Sequence, residues 1–349
     1  MSRDLLRPAK AAPGDRVAVL SPSFAAPAVG PEVHEQALRR LQEVTGLVPV
    51  EYPTTRRLGA TATDRAADLN AALGDPDIRA VLATIGGDDQ ITVIPHLDPE
   101  LVRRDPKPFL GYSDNTNLLS WLWSNGVASF HGGSTQVHLG PGPAVDEIHA
   151  ASLRAALLSG GRLEITEPGE SEDVGLPWED PAALTTYGAR EPTEPWTWAG
   201  PARAVTGSTW GGCLEVVQWI LTAGRFPDDP GVLDGGVLLL ETSEDLTPAP
   251  EVGYILRSLG ERGILAAVDA VVVSRPPTST LDLVPSREER AARRAEQRDV
   301  VVDMVERYHP EAVLVVGVPF GHTKPHWILP YGGSVTVDGA ERRLWADYD

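Results

Sequence analysis

Short apolar runs alternate with amphipathic stretches along the first half of the chain. Arg16 to Leu20 (RVAVL), Val48 to Tyr52 and Ala80 to Ile85 (AVLATI) read as strands, the last of them buried. Pro31 to Thr45 carries apolar residues at helical spacing, with proline in its first turn and Gly46 at its end. Arg65 to Leu73, closed by Gly74, and Asp88 to Pro95 read as helices. The PFLGY run then leads into a helix over Asn115 to Trp123. Ser129 to Gly133 (SFHGG) reads as a further strand end and Val145 to Leu158 as a further helix. Strand and helix in alternation imply a parallel sheet covered on both faces.

From Glu167 to Pro201 the periodicity stops. This stretch is rich in Pro, Glu and Gly, yet it holds Trp178, Trp196 and Trp198, which a plain linker would not carry. It is the expected boundary between an N-terminal domain, residues 1–166, and a C-terminal domain, residues 202–349. The second half resumes with a strand at Ala202 to Thr206 and a helix at Cys213 to Thr222. The strand Val237 to Leu240, a helix near Glu251 to Leu259 and the strand Val268 to Ser274 follow. A charged helix over Arg287 to Arg307, the strand Val313 to Val318 and a hairpin turned by Asp338-Gly339 complete the chain.

Composition narrows the classes. The 349 residues are 42% hydrophobic and 23% charged, ordinary for a globular protein, and a net charge of −19 disfavours nucleic acid or an anionic membrane as partner. Cys213 is the lone cysteine, so no intrachain disulfide can form and a reducing compartment fits. The opening MSRDLLRPAK lacks an apolar signal core, and a cytoplasmic location is expected.

In open α/β sheets, ligands bind beyond the carboxyl ends of the strands. Four such ends carry suggestive residues: Gly86-Gly87 after AVLATI, Ser113-Asp114 after PFLGY, Glu241 after GVLLL, and His322 after VLVVGV. Each has a structural reading alone, as a tight turn, a helix N-cap, a satisfied carboxylate or a turn histidine. Together Ser, Glu and His are the nucleophile, orienter and base of acyl transfer. The nucleophile-elbow pattern G-x-S-x-G is half met, since Asn115 occupies the second glycine position. His322 and His326 have metal-ligand spacing only on a helix, which Pro325 opposes, so no metal site is expected. Glu215 argues against Cys213 as a thiol nucleophile, and His131 reads as structural. No P-loop or complete G-x-G-x-x-G occurs, and no cofactor is expected.

The stretches GDRVAVLSPS, TIGGDD, GYSDNTNLL, FHGG, GSTWGGCLE, LLLETSED and GVPFGHTKPHWILPYGG resemble the LD-carboxypeptidase family of serine peptidases over nearly the full length. TIGGDD and the tryptophan-bearing insertion resemble its microcin C self-immunity branch. The resemblance implies a Rossmann- or flavodoxin-like N-terminal domain and a smaller, swivelling β/α-type C-terminal domain. It implies a catalytic triad of Ser113, Glu241 and His322, and a homodimer. The backbone N–H groups of Gly87 and Asp114 would meet the oxyanion. Gly86, Trp178, Trp196 and Trp198 are the expected substrate contacts. The implied activity is hydrolysis of the amide joining an aminoacyl or peptidyl group to a nucleotide-like moiety. The alternatives are a murein tetrapeptide LD-carboxypeptidase and a non-catalytic aminoacyl-nucleotide binding protein. Cys213 stands where asparagine is usual in the family.

Overall fold

The computed structural model describes residues 5–349. Residues 1–4, the start of the segment read as lacking a signal core, lie outside the described residues. The α/β expectation holds. β1 (Arg16–Leu20), β2 (Val48–Glu51), β3 (Ile78–Ala83), β4 (Phe109–Gly111) and β5 (Ser129–His131) form a parallel sheet. Helices such as Pro31–Thr45, Ala62–Gly74 and Thr116–Ser124 connect them.

The second sheet is mixed. β6 (Arg162–Ile165) precedes the inserted segment, which contains a small antiparallel pair, β7 (Glu170–Ser171) with β8 (Glu191–Pro192), and then β9 (Thr197–Ala199). The long β10 (Ala204–Cys213) runs antiparallel to β15 (Ser334–Asp338) over its first half. Its second half runs parallel to β11 (Val237–Glu241). β12 (Ala270–Ser274) and β13 (Val313–Val318) continue the parallel part. β14 (Leu329–Tyr331) leaves this domain and pairs antiparallel with β5. β16 (Arg343–Asp347) pairs with β15 and with β6. Thus β6, from before residue 167, lies in the second sheet, and β14, from after residue 201, lies in the first.

The period-two alternation of strands divides the core into two layers. Ala18 and Leu20 of β1 join Leu238 and Leu240 of β11 in one apolar cluster, while Val17 and Val19 join Val237 and Leu239 in the other. Burial of each such side chain contributes about 1.5–3 kcal/mol. Both clusters run through both sheets, so the strand ends of the two domains are held against one another.

Local departures have local causes. Instead of a helix over Asp88 to Pro95, two short 3-10 turns form, Gln90–Thr92 and Ile94–His96. Pro95 supplies no N–H for a continuing helix, and the Gln90 N–H is taken by the Asp114 carboxylate at 2.9 Å. The helix expected to end at Leu158 is α-helical over Glu147–Arg154 and widens into a π turn over Ala155–Ser159. The C-terminal hairpin turns over four residues, with Asp338 Oδ1 accepting from the amides of Ala340 and Glu341.

The insertion is bolted to the second domain by charge. Arg275 donates to Asp173 at 2.7 Å, and Arg294 donates to Glu191 and Glu194 at 2.9 and 2.8 Å. Glu172 and Lys324 exchange backbone hydrogen bonds of 2.8 and 2.9 Å, and their side chains pair at 2.6 Å. This double contact ties the insertion to the loop that carries His322.

Candidate active site

Ser113 follows β4 with φ of 60°, a left-handed conformation that costs a non-glycine residue about 1–3 kcal/mol. It is not a helix cap: the capping positions of the 3-10 turn and of the following helix are Tyr112 and Asn115. Asn115 fixes the turn instead. Its Nδ2 donates to the carbonyls of Ile85 and Tyr112, both at 3.0 Å, and its Oδ1 accepts from Gln90 at 2.8 Å. The side chain at the second glycine position of the elbow pattern therefore locks the turn.

Gly86 lies against the serine. A Cβ there would stand 2.8 Å from Ser113 Oγ and 3.1 Å from the Asp114 backbone nitrogen. Gly87 is held equally close to Ser23, whose hydroxyl donates to Asp114 Oδ2. Asn117 donates to the other Asp114 oxygen at 2.9 Å. Burial raises the Asp114 carboxyl above the ordinary range against the pull of these donors. Its side chain anchors the turn, and its backbone amide faces Gly86.

Glu241 ends β11 and is fully buried. His322 follows β13 and donates from Nδ1 to Glu241 Oε2 at 2.6 Å. Gly321 permits this crossing, because a Cβ on it would come within 2.8 Å of the Glu241 Cβ. Burial opposes the Glu241 charge, but His322 and His131 outweigh it and lower the carboxyl to about 2. Burial likewise opposes the His322 cation, and Glu241 and Glu244 outweigh it, holding the imidazole well above its ordinary range. His131 is fully buried with Nε2 3.7 Å from Glu241 Oε1.

A cavity of about 490 Å³ joins these parts. Gly86, Gly87, Ser113, Tyr112, His322, Glu244, Lys324 and Trp178 line it. The structure thus brings Ser113, His322 and Trp178 to one cavity, with Glu241 hydrogen-bonded to the imidazole from behind. Trp196 and Trp198 have ring centroids 6.3 Å apart, and neither is among the residues that line the cavity. Both pack against the second apolar cluster, and Trp198 pairs with Val315 through β9. The β9 pairing itself was not signalled by three residues between prolines and glycines. Cys213 is buried against Glu215, and burial first, then Glu241 and Glu215, push its thiol well above the ordinary range. Glu244, Tyr112 and Lys324 were not singled out from sequence. They sit inside the motifs LLLETSED, GYSDNTNLL and GHTKPHW, so position beside the strand-end residues was the available signal.

Residues 17–132 match the LD-carboxypeptidase N-terminal domain, and residues 206–337 match the LD-carboxypeptidase C-terminal domain. A Vibrio cholerae protein with a carboxypeptidase name is 28% identical over 75% of this chain and 77% of its own. The microcin C7 self-immunity protein MccF of Escherichia coli is 24% identical over 80% of this chain and 76% of its own. The structure of MccF in complex with glutamyl sulfamoyl guanosine superposes with a TM-score of 0.83 at 21% identity, covering 99% of this chain and 98% of that one.

Proposed function

The chain belongs to the LD-carboxypeptidase family, in its MccF-like branch, and from that premise we propose a serine amidase acting on aminoacyl- or peptidyl-nucleotide compounds. The observation that carries the reading is the meeting of a left-handed Ser113 with the Glu241–His322 pair in one cavity walled by Trp178.

In this reading neutral His322 takes the proton of Ser113 Oγ as the oxygen bonds to the acyl carbon. The developing oxyanion would be met by the N–H groups of Gly87 and Asp114, since fixed backbone donors stabilise such charge without reorganising. Collapse breaks the C–N bond, and His322 gives its proton to the leaving nitrogen. Water, deprotonated by the same imidazole, then releases the acyl group and restores the serine. Glu241 keeps Nδ1 protonated and stabilises the imidazolium. Trp178 offers an indole face to a nucleobase, a contact worth about 1–3 kcal/mol. The ligand named for the structurally similar MccF, an aminoacyl-type sulfamoyl nucleoside, supports this substrate class.

A parallel hydrolysis assay on an aminoacyl sulfamoyl adenosine and on a murein tetrapeptide tests the reading. Faster release from the nucleoside is expected. Turnover of the tetrapeptide alone would replace it with cell-wall peptide trimming.

A further inference from the structure

We propose that Glu244 is a specificity residue of this site: it holds the Nε2 edge of His322 until a cationic ammonium group on the acyl part of the substrate takes the imidazole's place. This deepens the amidase reading and rests on it. The imidazole stands between two carboxylates, Nδ1 at 2.6 Å from Glu241 and Nε2 at 2.9 Å from Glu244. A base that serves Ser113 must present Nε2 to the hydroxyl, so the second contact has to be broken for turnover.

The two carboxylates differ in how firmly they are held. The Glu241 side chain is 0% exposed and that of Glu244 is 67% exposed. The Glu244 contact is a charge-to-charge approach without hydrogen-bond alignment. The imidazole is 7% exposed, so the attraction is felt, but the Glu244 end of the contact stands open to solvent and to an arriving cation. Glu241 is therefore the permanent partner and Glu244 the replaceable one.

The remaining groups around the imidazole do not supply a competing partner for Glu244. Tyr112 lies 4.9 Å from the His322 ring, and the rings of His138 and His326 lie 5.3 and 5.2 Å from Tyr112. Burial first, then neighbouring histidines, hold both of these imidazoles well below their ordinary range, so they are neutral. His131 faces Glu241. Lys324 lines the cavity but is engaged by Glu172 at 2.6 Å. Glu179 adds a further carboxylate to the cavity wall, and Asp173 is spent on Arg275. A substrate that brings an ammonium group beside Glu244 replaces one cation with another: the imidazolium, no longer held by Glu244, releases its Nε2 proton to solvent, and neutral Nε2 is then free to accept from Ser113. One whose amine is acylated, as in a peptidyl compound, brings no cation to Glu244, so the imidazole is released less often and turnover is slower.

The test compares an aminoacyl sulfamoyl adenosine bearing a free α-amine with its N-acetyl counterpart, on the wild-type protein and on Glu244→Gln. Rates are read from pH 5 to 9, and affinities for both ligands are read by calorimetry in a Ser113→Ala background. The wild type is expected to favour the free amine about tenfold in kcat/KM and in affinity. In Glu244→Gln that preference should fall to within about twofold, and the acid limb of the pH profile should move to lower pH. A preference of equal size in both proteins, or an acid limb that stays in place, overturns the role of Glu244 while leaving the amidase reading intact. Failure of the wild type to turn over either compound overturns the amidase reading, and this proposal with it.

Discussion

His322 Nδ1 and Glu241 Oε2 lie 2.6 Å apart although 81 positions separate them, one on a loop and the other at the end of a buried strand. The contact exists because β11, β12 and β13 are consecutive parallel neighbours, which brings both carboxyl ends to one edge. Glu241→Gln keeps the shape and removes the charge that stabilises the imidazolium. A loss in kcat of about 100- to 10,000-fold is expected, with thermal stability little changed. Steady-state kinetics and a melting curve on the same preparation check this. A loss below tenfold would remove Glu241 from the chemistry.

The pH dependence has a definite sign. His322 is held above its ordinary range, and only its neutral form can act as base, so kcat/KM should rise with pH through a value above the usual imidazole range. Stability behaves oppositely for the same group. Its contribution is full below the unfolded imidazole pKa and is lost as pH rises through the raised folded value. Glu241, lowered to about 2, contributes fully above its unfolded pKa and loses that contribution as pH falls toward 2. Acid unfolding of Glu241→Gln should accordingly be less steep than that of the wild type between pH 5 and 2.

Gly86→Ala should act on the nucleophile and on the Asp114 amide beside it. The added Cβ would stand 2.7 Å from Ser113 Cβ and 2.8 Å from its Oγ, so the serine must turn or shift. A displacement of this order is expected to cost about 100-fold in turnover. Labelling of Ser113 by a fluorophosphonate should slow in parallel. Full-rate labelling would mean that the serine does not depend on this glycine.

Trp178 and the Trp196–Trp198 pair should separate cleanly. Trp178→Ala is expected to weaken kcat/KM for a nucleotide substrate about 5- to 150-fold while sparing a small substrate without a base. Trp196→Ala and Trp198→Ala remove packing on the second apolar cluster, and should lower the melting temperature without discriminating between substrates. Equal effects of all three on both substrates would assign every indole to packing.

The Glu172–Lys324 pair predicts a non-additive double variant. Glu172 is 1% exposed and Lys324 7%, so Glu172→Gln leaves a nearly buried ammonium without its counter-charge. Breaking one side of such a pair costs about 3–5 kcal/mol. Glu172→Gln combined with Lys324→Met should recover most of that loss in denaturant titrations. Additive losses would show that the two side chains act independently.

Much of this was legible in the sequence, and the reasons for the remainder are physical. Ser113, Glu241 and His322 could be singled out because each comes just after an apolar run; parallel strands gather Glu241 and His322 at one edge of the second sheet, whereas Ser113 follows a strand of the first. The helix Pro31–Thr45 and the strands Arg16–Leu20 and Val313–Val318 fall within the spans that periodicity indicates. Pairings between distant segments leave no local trace. β14 is three residues long, and only its seat beside β5 makes it a strand of the first sheet. β10 contains Gly207, Gly211 and Gly212, which read as breakers although close approach requires them: Gly211 to the Leu239 carbonyl of β11, Gly207 to Gly235 and Gly236, and Gly212 to the Thr116 side chain. Glu244 lies in a loop with no period, and its place three residues after Glu241 is the sole trace along the chain of its contact with Nε2 of His322.

Release of the free acyl group from an aminoacyl sulfamoyl adenosine, followed by mass spectrometry for the wild type and Ser113→Ala side by side, is the most direct measurement. The wild type should release the amino acid with multiple turnovers and carry a transient acyl group on Ser113. Ser113→Ala should bind the compound and release nothing above the uncatalysed rate. Equal release by the two proteins, or an acyl group found on any other residue, would contradict Ser113 as the nucleophile.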